Sequence, residues 1–140
     1  MSENSRVRQA RLALIVSGEE LPFDEISSLL QLAPTRLVRR GDLLNRLPEI
    51  RSREDEWIHL LELETPKGRD EKLSRFLGYL IGRKEELEKI RAFGDVRLRM
   101  RIQSDYAQMS YSLESETIHE MDEIGLPLDI TSISWGEIGI

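Results

Sequence analysis

The chain has 140 residues, of which 39% are hydrophobic and 33% are charged, and its formal net charge is −6. This length and composition are typical of a globular unit with one core, so we expect residues 1–140 to form a single domain, with residues 1–6 as a flexible N-terminus. The absence of cysteine excludes disulfides and thiolate chemistry, and the acidic charge argues against non-specific binding of nucleic acid.

The N-terminal half of the chain predicts two strands, separated by a short helix and a long loop. Residues 8–16 carry apolar side chains on both alternating faces, which is typical of an interior strand. Residues 22–32 begin with Pro22 and continue with an apolar stripe at helical spacing, which predicts a helix. Residues 35–55 are predicted to be irregular, and residues 57–63 are predicted to form the next strand.

The C-terminal half begins with a predicted turn at residues 65–68, followed by a helical segment at residues 70–92 that breaks near Gly82. Residues 95–103 alternate between apolar side chains and polar side chains, three of them arginines, which predicts a half-buried strand. We expect this strand to form a hairpin with residues 108–113.

The last two predicted elements are a helix and a strand. Residues 115–124 predict a helix that Ser115 caps and that Ile118 and Met121 anchor in the core. Residues 126–135 predict a strand that is bulged or lies at an edge. The resulting order is β-α-β-α-β-β-α-β, which predicts an α+β fold with a single sheet of about five strands and helices mainly on one face. From residue 57 onward this order is ferredoxin-like.

Two segments of opposite charge indicate candidate surfaces for partners. Residues 32–53 carry six arginines against two carboxylates, a net of +4, whereas residues 114–140 carry seven carboxylates and no lysine or arginine. Complementary potentials steer protein association, so we expect both segments to be contact surfaces. The alternative is that the two segments pack against each other within the chain.

The best candidate site for a ligand or a partner combines forked donors, a flexible backbone and a flat aromatic wall. Its residues are Arg36, Arg39, Arg40, Gly41 and Trp57. The structural alternative is that the tryptophan belongs to the core, the glycine makes a turn and the arginines are solvated.

Catalytic, metal and nucleic-acid sites have weak support in the sequence. His119, Asp122 and Glu123 share a helix face, but a solvated acidic face explains them, so we expect no metal and no cofactor. We find no nucleophile or phosphate-loop motif, which predicts a protein that is not an enzyme. The arginines of the strand at residues 95–103 have no aromatic residues between them for stacking bases, so we expect no nucleic-acid partner.

Several short motifs in this chain resemble a known family. They are Gly18-Glu19 at the end of the first strand, Pro22, Ile26 and Leu29-Leu30 in the first helix, then Pro34-Thr35, Arg40-Gly41, Trp57, Gly125-Leu126 and Asp129. In these positions the chain resembles the bacterial family labelled domain of unknown function 4279, which tends to place an aspartate near the position of Leu21-Pro22. The resemblance implies an uncharacterised α+β domain and supplies no catalytic residue.

These observations together predict a cytoplasmic, non-enzymatic interaction domain, such as an accessory or immunity-type protein that binds another protein. The alternative is a small-ligand or anion-binding domain that uses the loop of Arg39, Arg40 and Gly41 beside Trp57. The longest apolar run, residues 12–16, is too short to cross a bilayer, and the first residues lack the apolar core of a secretory signal, so we expect no membrane partner.

Overall fold

The structure is a computed structural model that describes residues 7–63, 66–106 and 112–137. The segment at residues 1–6, predicted to be flexible, lies outside the described residues. The strands are β1 (Val7–Gly18), β2 (Arg36–Val38), β3 (Leu43–Arg46), β4 (Glu49–Arg51), β5 (Asp55–Leu63), β6 (Asp95–Tyr106) and β7 (Leu128–Glu137). The helices are α1 (Phe23–Leu30), α2 (Pro66–Ile81), α3 (Lys84–Arg91) and α4 (Ser115–Ile124).

Five strands form one mixed sheet in the order β2-β5-β1-β6-β7, and β3 pairs with β4 in a separate two-stranded sheet. The predicted interior position of the first strand is confirmed, because β1 lies between β5 and β6 and is antiparallel to both. Strands β5 and β6 therefore run in the same direction, with α2 and α3 connecting them across β1. Strand β7 is parallel to β6 and forms an edge, and the predicted α+β class with a five-stranded sheet is confirmed.

The predicted hairpin partner of β6, residues 108–113, falls mainly outside the described residues. Its last two positions, Ser112 and Leu113, are not in a strand. Over Leu98–Ile102 both sides of β6 are already occupied, by β1 on one side and β7 on the other.

One face of the sheet and the helices enclose the core. The alternation predicted for β1 and β6 is confirmed, because the even-numbered side chains from Ala10 to Val16 and from Val96 to Ile102 are buried. The helices contribute apolar stripes to the same cluster, namely Phe23, Ile26, Leu30, Leu73, Phe76, Leu77, Leu80, Leu87, Ile90, Met121 and Ile124. Because side chains alternate across a strand, this arrangement leaves the odd-numbered positions on the opposite face.

The opposite face of the sheet is covered by long charged side chains. Ile15 lies opposite Ile58 of β5 and Arg97 of β6, and only 7% of Ile15 is exposed. An ion pair of 3.0 Å joins Arg97 of β6 to Asp129 of β7. Together with Asp95, Asp129 raises the pKa of the Arg97 guanidinium above its usual value.

The helix boundaries correct two predictions. Helix α2 begins at Pro66, so the turn predicted at residues 65–68 is wrong over its described part, while the predicted break near Gly82 is confirmed. The residue in the N-cap position of α4 is Glu114, so Ser115 does not cap this helix. Met121 is buried as predicted, but Ile118 is 55% exposed, and Thr117 takes the inward position one residue earlier.

The connection from α3 to β6 passes very close to the end of β1. A Cβ atom placed on Gly94 would lie 2.2 Å from the main-chain oxygen of Ser17, much closer than any non-bonded contact allows. The position therefore requires glycine because of a close approach between two backbone segments.

Candidate functional site

The long segment between α1 and β5 was predicted to be irregular, and this prediction is wrong. Strand β2 pairs with β5 at the edge of the main sheet, and β3 and β4 form a hairpin with a cis peptide bond between Leu47 and Pro48 at its tip. These strands have three or four residues each, and β3 and β4 bury no face. A strand without a buried face needs no hydrophobic alternation, so its sequence lacks the usual pattern. We call residues 39–53 the arm.

The arm is exposed to solvent over nearly its whole length. Every residue from 39 to 51 is exposed. The apolar side chains concerned are Leu43 (42% exposed), Leu44 (46%), Leu47 (90%) and Ile50 (47%). An isolated two-stranded hairpin is marginally stable in water, and large apolar groups clustered on one exposed element are typical of an interaction surface.

The base of the arm is tied to the body of the domain through the buried carboxylate of Asp55. One carboxylate oxygen accepts hydrogen bonds from the Leu21 amide (3.1 Å) and the Arg39 guanidinium (3.0 Å). The other accepts one from the Arg40 amide at 2.8 Å. Burial alone would raise the pKa of Asp55, but these hydrogen bonds and the charge of Arg39 hold that pKa below its usual value.

The two ends of the arm are also joined to each other by hydrogen bonds. The Gly41 amide donates to the main-chain oxygen of Ser52 at 2.8 Å. The Ser52 amide donates to the main-chain oxygen of Asp42 at 2.9 Å. The Arg51 guanidinium donates to the Gly41 oxygen at 2.9 Å. Gly41 has a φ of 95°, a conformation that a side chain would disfavour. Gly41 therefore makes a turn, as the structural alternative in the sequence analysis predicted.

Trp57 belongs to the core and offers no exposed surface beside the arginines of the predicted site. It is fully buried, and its indole N–H donates to the Ser27 hydroxyl of α1 at 2.9 Å. Its ring also stacks with His59, which in turn stacks with Phe76 of α2. Because the indole has no exposed surface, it does not provide a wall for a ligand bound at the arm.

Of the predicted site residues, three meet at the base of the arm and two lie elsewhere. The Arg39 guanidinium lies over the Phe23 ring, 3.9 Å from its centroid, and its charge is paired with Asp55. Arg40 contributes its amide to the same carboxylate while its side chain is exposed. Arg36 is an exposed residue of β2. The sequence reasoning missed the exposed apolar residues of the arm, although a Leu-Leu pair among six arginines was a visible signal.

The structure separates the two oppositely charged segments. Strands β2 and β7 are the opposite edges of the five-stranded sheet, and four strand spacings amount to about 19 Å. Asp129 of β7 pairs with Arg97 of β6, and among the described residues no ion pair joins the C-terminal segment to the arm. The geometry therefore gives no support to the alternative that these two segments neutralise each other.

Two cavities are lined by residues outside the arm. One, of about 370 Å³, lies between α2 and α4 and has an acidic lining that includes Asp70 and Glu116. The other, of about 260 Å³, lies on the charged face of the sheet between Ile15 and Arg99. Within residues 7–63, 66–106 and 112–137, no group of three or more histidine or carboxylate side chains could hold a metal ion.

The comparisons with known proteins give one match. The family model described as Domain of unknown function (DUF4279) matches residues 8–135. No curated protein and no solved structure matched the chain. In the part of the chain that the structure describes, no helix is long and apolar enough to cross a membrane. Because the family model spans most of the sequence, from the core strand β1 into β7, the chain belongs to the DUF4279 family.

Proposed function

We propose that this domain acts by binding another protein, without catalysing a reaction, and that the arm is its contact surface. The observation that carries this proposal is the exposure of four large apolar side chains on one hairpin, Leu43, Leu44, Leu47 and Ile50. Contact with a partner would remove this apolar area from water, which contributes roughly 25 cal/mol per Å². An exposed cluster of this kind is typical of a protein interface.

The attachment of the arm supports the same proposal. Asp55 and the hydrogen bonds between Gly41 and Ser52 hold the base of the arm in one conformation. A surface that is ordered before binding loses less conformational entropy when the partner arrives. The arm is therefore suited to presenting its apolar side chains in a fixed orientation.

We further propose that the protein works in the cytoplasm of a bacterium, as an accessory or immunity-type protein that acts by occupying its partner. The cysteine-free composition agrees with a reducing compartment. Neither nucleic acid nor a membrane is the proposed partner, because residues 36–54 contain no aromatic side chain for base stacking or for the membrane interface.

The alternative function, binding of a small anion beside Trp57, has less support. It requires an indole surface next to free arginines, whereas Trp57 is fully buried. It also requires Arg39 to be available, whereas Arg39 is paired with Asp55.

A capture experiment with matched variants tests the proposed function. The immobilised wild-type chain is compared with an arm variant, Leu44→Ser/Leu47→Ser, and with a control variant, Ile118→Ser/Ile130→Ser, which changes two exposed apolar residues outside the arm. Thermal denaturation first establishes that all three chains are folded. We expect that the wild type and the control variant capture a protein that the arm variant does not capture. Equal capture by the arm variant and wild type would reject the proposal.

A further inference from the structure

The side chains of four arginines in and beside the arm have no bonding partner among the described residues. They are Arg36, Arg40, Arg46 and Arg53, and all of them are exposed. The two remaining arginines of this region are engaged, since Arg39 pairs with Asp55 and Arg51 pairs with Glu49. The region therefore presents four guanidinium groups that are free to form new ion pairs.

The chain has more carboxylates than basic residues, 26 against 20, yet these four arginines lie within residues 36–53 without a carboxylate partner in the described structure. Other arginines do reach a carboxylate, as Arg11 does with Glu62 and Arg75 does with Glu71. In the arm, Asp42 accepts a hydrogen bond from the Arg39 amide, and Glu49 is bound to Arg51. Both carboxylates of the arm are thus already bonded within the arm.

We propose that the partner presents an acidic protein surface around an apolar depression, which receives the arm. This inference rests on the proposed function and adds the chemistry of the partner. The apolar side chains of the arm would fill the depression, while the free guanidinium groups would bind carboxylates at its rim. Arginine is enriched in protein interfaces because its planar fork matches a carboxylate with two parallel hydrogen bonds.

The combination of apolar and basic groups favours this partner over other anionic partners. Nucleic acid would neutralise the arginines, but it would leave Leu43, Leu44 and Ile50 without an apolar contact, and the arm offers no aromatic ring to a base. An anionic membrane is disfavoured because the arm has no tryptophan or tyrosine to sit at the membrane interface.

A displayed library of random 16-residue peptides provides the probe. Peptides are selected on the wild-type chain and counter-selected on the Leu44→Ser/Leu47→Ser variant, so that only ligands of the arm remain. We expect enriched peptides that combine Asp or Glu with Leu, Ile or Phe. Enrichment of neutral or basic peptides, or of none, would overturn the inference.

The strongest enriched peptide is then synthesised and its dissociation constant is measured at low and at high salt. For the variant Arg40→Gln/Arg46→Gln/Arg53→Gln, we expect affinity to fall about tenfold or more and the salt dependence to decrease. The control, Arg99→Gln/Arg101→Gln, removes two exposed arginines of β6 from the sheet face that lies opposite the core. We expect its affinity for the peptide to stay within about twofold of wild type. Equal losses in both variants would overturn the inference.

Three further probes separate this partner from other occupants. If phosphatidylserine vesicles bind the arm more tightly than the strongest enriched peptide does, the arm is assigned to a membrane. If poly(U) binds the arm more tightly than that peptide, the arm is assigned to nucleic acid. Arm-dependent self-association in sedimentation would assign it to a second copy of the chain. Each of these results would overturn the inference. If instead the partner captured from a lysate is lost by the Leu variant and kept by the Arg variant, the proposed function stands and the acidic partner surface is rejected.

Discussion

The guanidinium of Arg39 lies 3.0 Å from the Asp55 carboxylate, so an arginine predicted to bind a partner is instead part of the fold. The contact joins the first residue of the arm to the first residue of β5. Reversing the charge of Arg39 would therefore disturb the domain as well as its surface. A test of binding should change Arg40, Arg46 and Arg53, whose side chains are exposed and have no such contact in the described structure.

The first prediction concerns the stability supplied by Asp55. We expect Asp55→Asn to lower the free energy of unfolding by roughly 1.5–3 kcal/mol at about pH 7, because the buried carboxylate accepts three hydrogen bonds at the base of the arm. Chemical denaturation measures this difference. Glu49→Gln is the control, because that carboxylate is exposed and its ion pair with Arg51 should contribute less than about 1 kcal/mol.

The same variant makes a prediction about pH. The pKa of Asp55 is lower in the folded chain than its ordinary value of 3.8, so its contribution is present above that value and is lost as pH falls through the folded-state pKa. The difference in stability between wild type and Asp55→Asn should therefore shrink as the pH is lowered below about 4. A difference that stays constant down to about pH 3 would show that the charge of Asp55 is not the cause.

The second prediction concerns Trp57 in the core. We expect Trp57→Ala to lower the free energy of unfolding by roughly 3–5 kcal/mol, because it leaves a large cavity between β5 and α1. Ser27→Ala removes only the acceptor of the indole N–H and should cost about 1–3 kcal/mol. Denaturation curves for both variants test the ranking. A loss below about 1 kcal/mol for Trp57→Ala would contradict its place in the core.

The third prediction compares two glycines. Gly94→Ala should destabilise the domain by roughly 1–3 kcal/mol or more, because the new Cβ would collide with the Ser17 main-chain oxygen and force the backbone to move. Gly78→Ala in α2 should stabilise it by about 0.5–1 kcal/mol, since that position has open space and alanine favours the helix. Thermal denaturation of the two variants should give shifts of opposite sign.

The fourth prediction concerns which face of α4 lies in the core. Met121 is 9% exposed, so Met121→Ala should cost roughly 2–5 kcal/mol of unfolding free energy. Ile118 is 55% exposed, and Ile118→Ala should change stability by less than about 0.5 kcal/mol. Urea denaturation of both variants tests this orientation, and a larger loss at Ile118 would mean that the helix is rotated.

The sequence predicted best those elements in which burial imposes a period. In β6, Val96, Leu98 and Met100 are buried as their spacing predicts, and the break near Gly82 separates α2 from α3. In β6 the residues that form the strand also fill the core, so the hydrophobic pattern reports the structure directly. The break near Gly82 follows instead from the low helix propensity of glycine.

Prediction failed where burial and hydropathy differ. Thr117 is buried although it is polar, and Ile118 is exposed although it is apolar, so the pattern of α4 pointed to the wrong residue. In the arm, the strands are held by hydrogen bonds to each other and by Asp55 at the base, and neither contact has a periodic pattern. The sequence therefore predicted the arginines of the candidate site but not its exposed apolar side chains.

The position of β1 between β5 and β6 has a consequence for how the chain is made. Synthesis proceeds from the N-terminus, so β1 leaves the ribosome before its partners β5 and β6 and can complete its pairing only after Asp95–Tyr106 has emerged. Until then its row of apolar side chains from Ala10 to Val16 lacks one of its two neighbours. Folding that depends on such distant pairings is slow, and the unfinished chain exposes a strand edge prone to aggregation. We therefore expect nascent chains that stop short of β6 to require protection by chaperones.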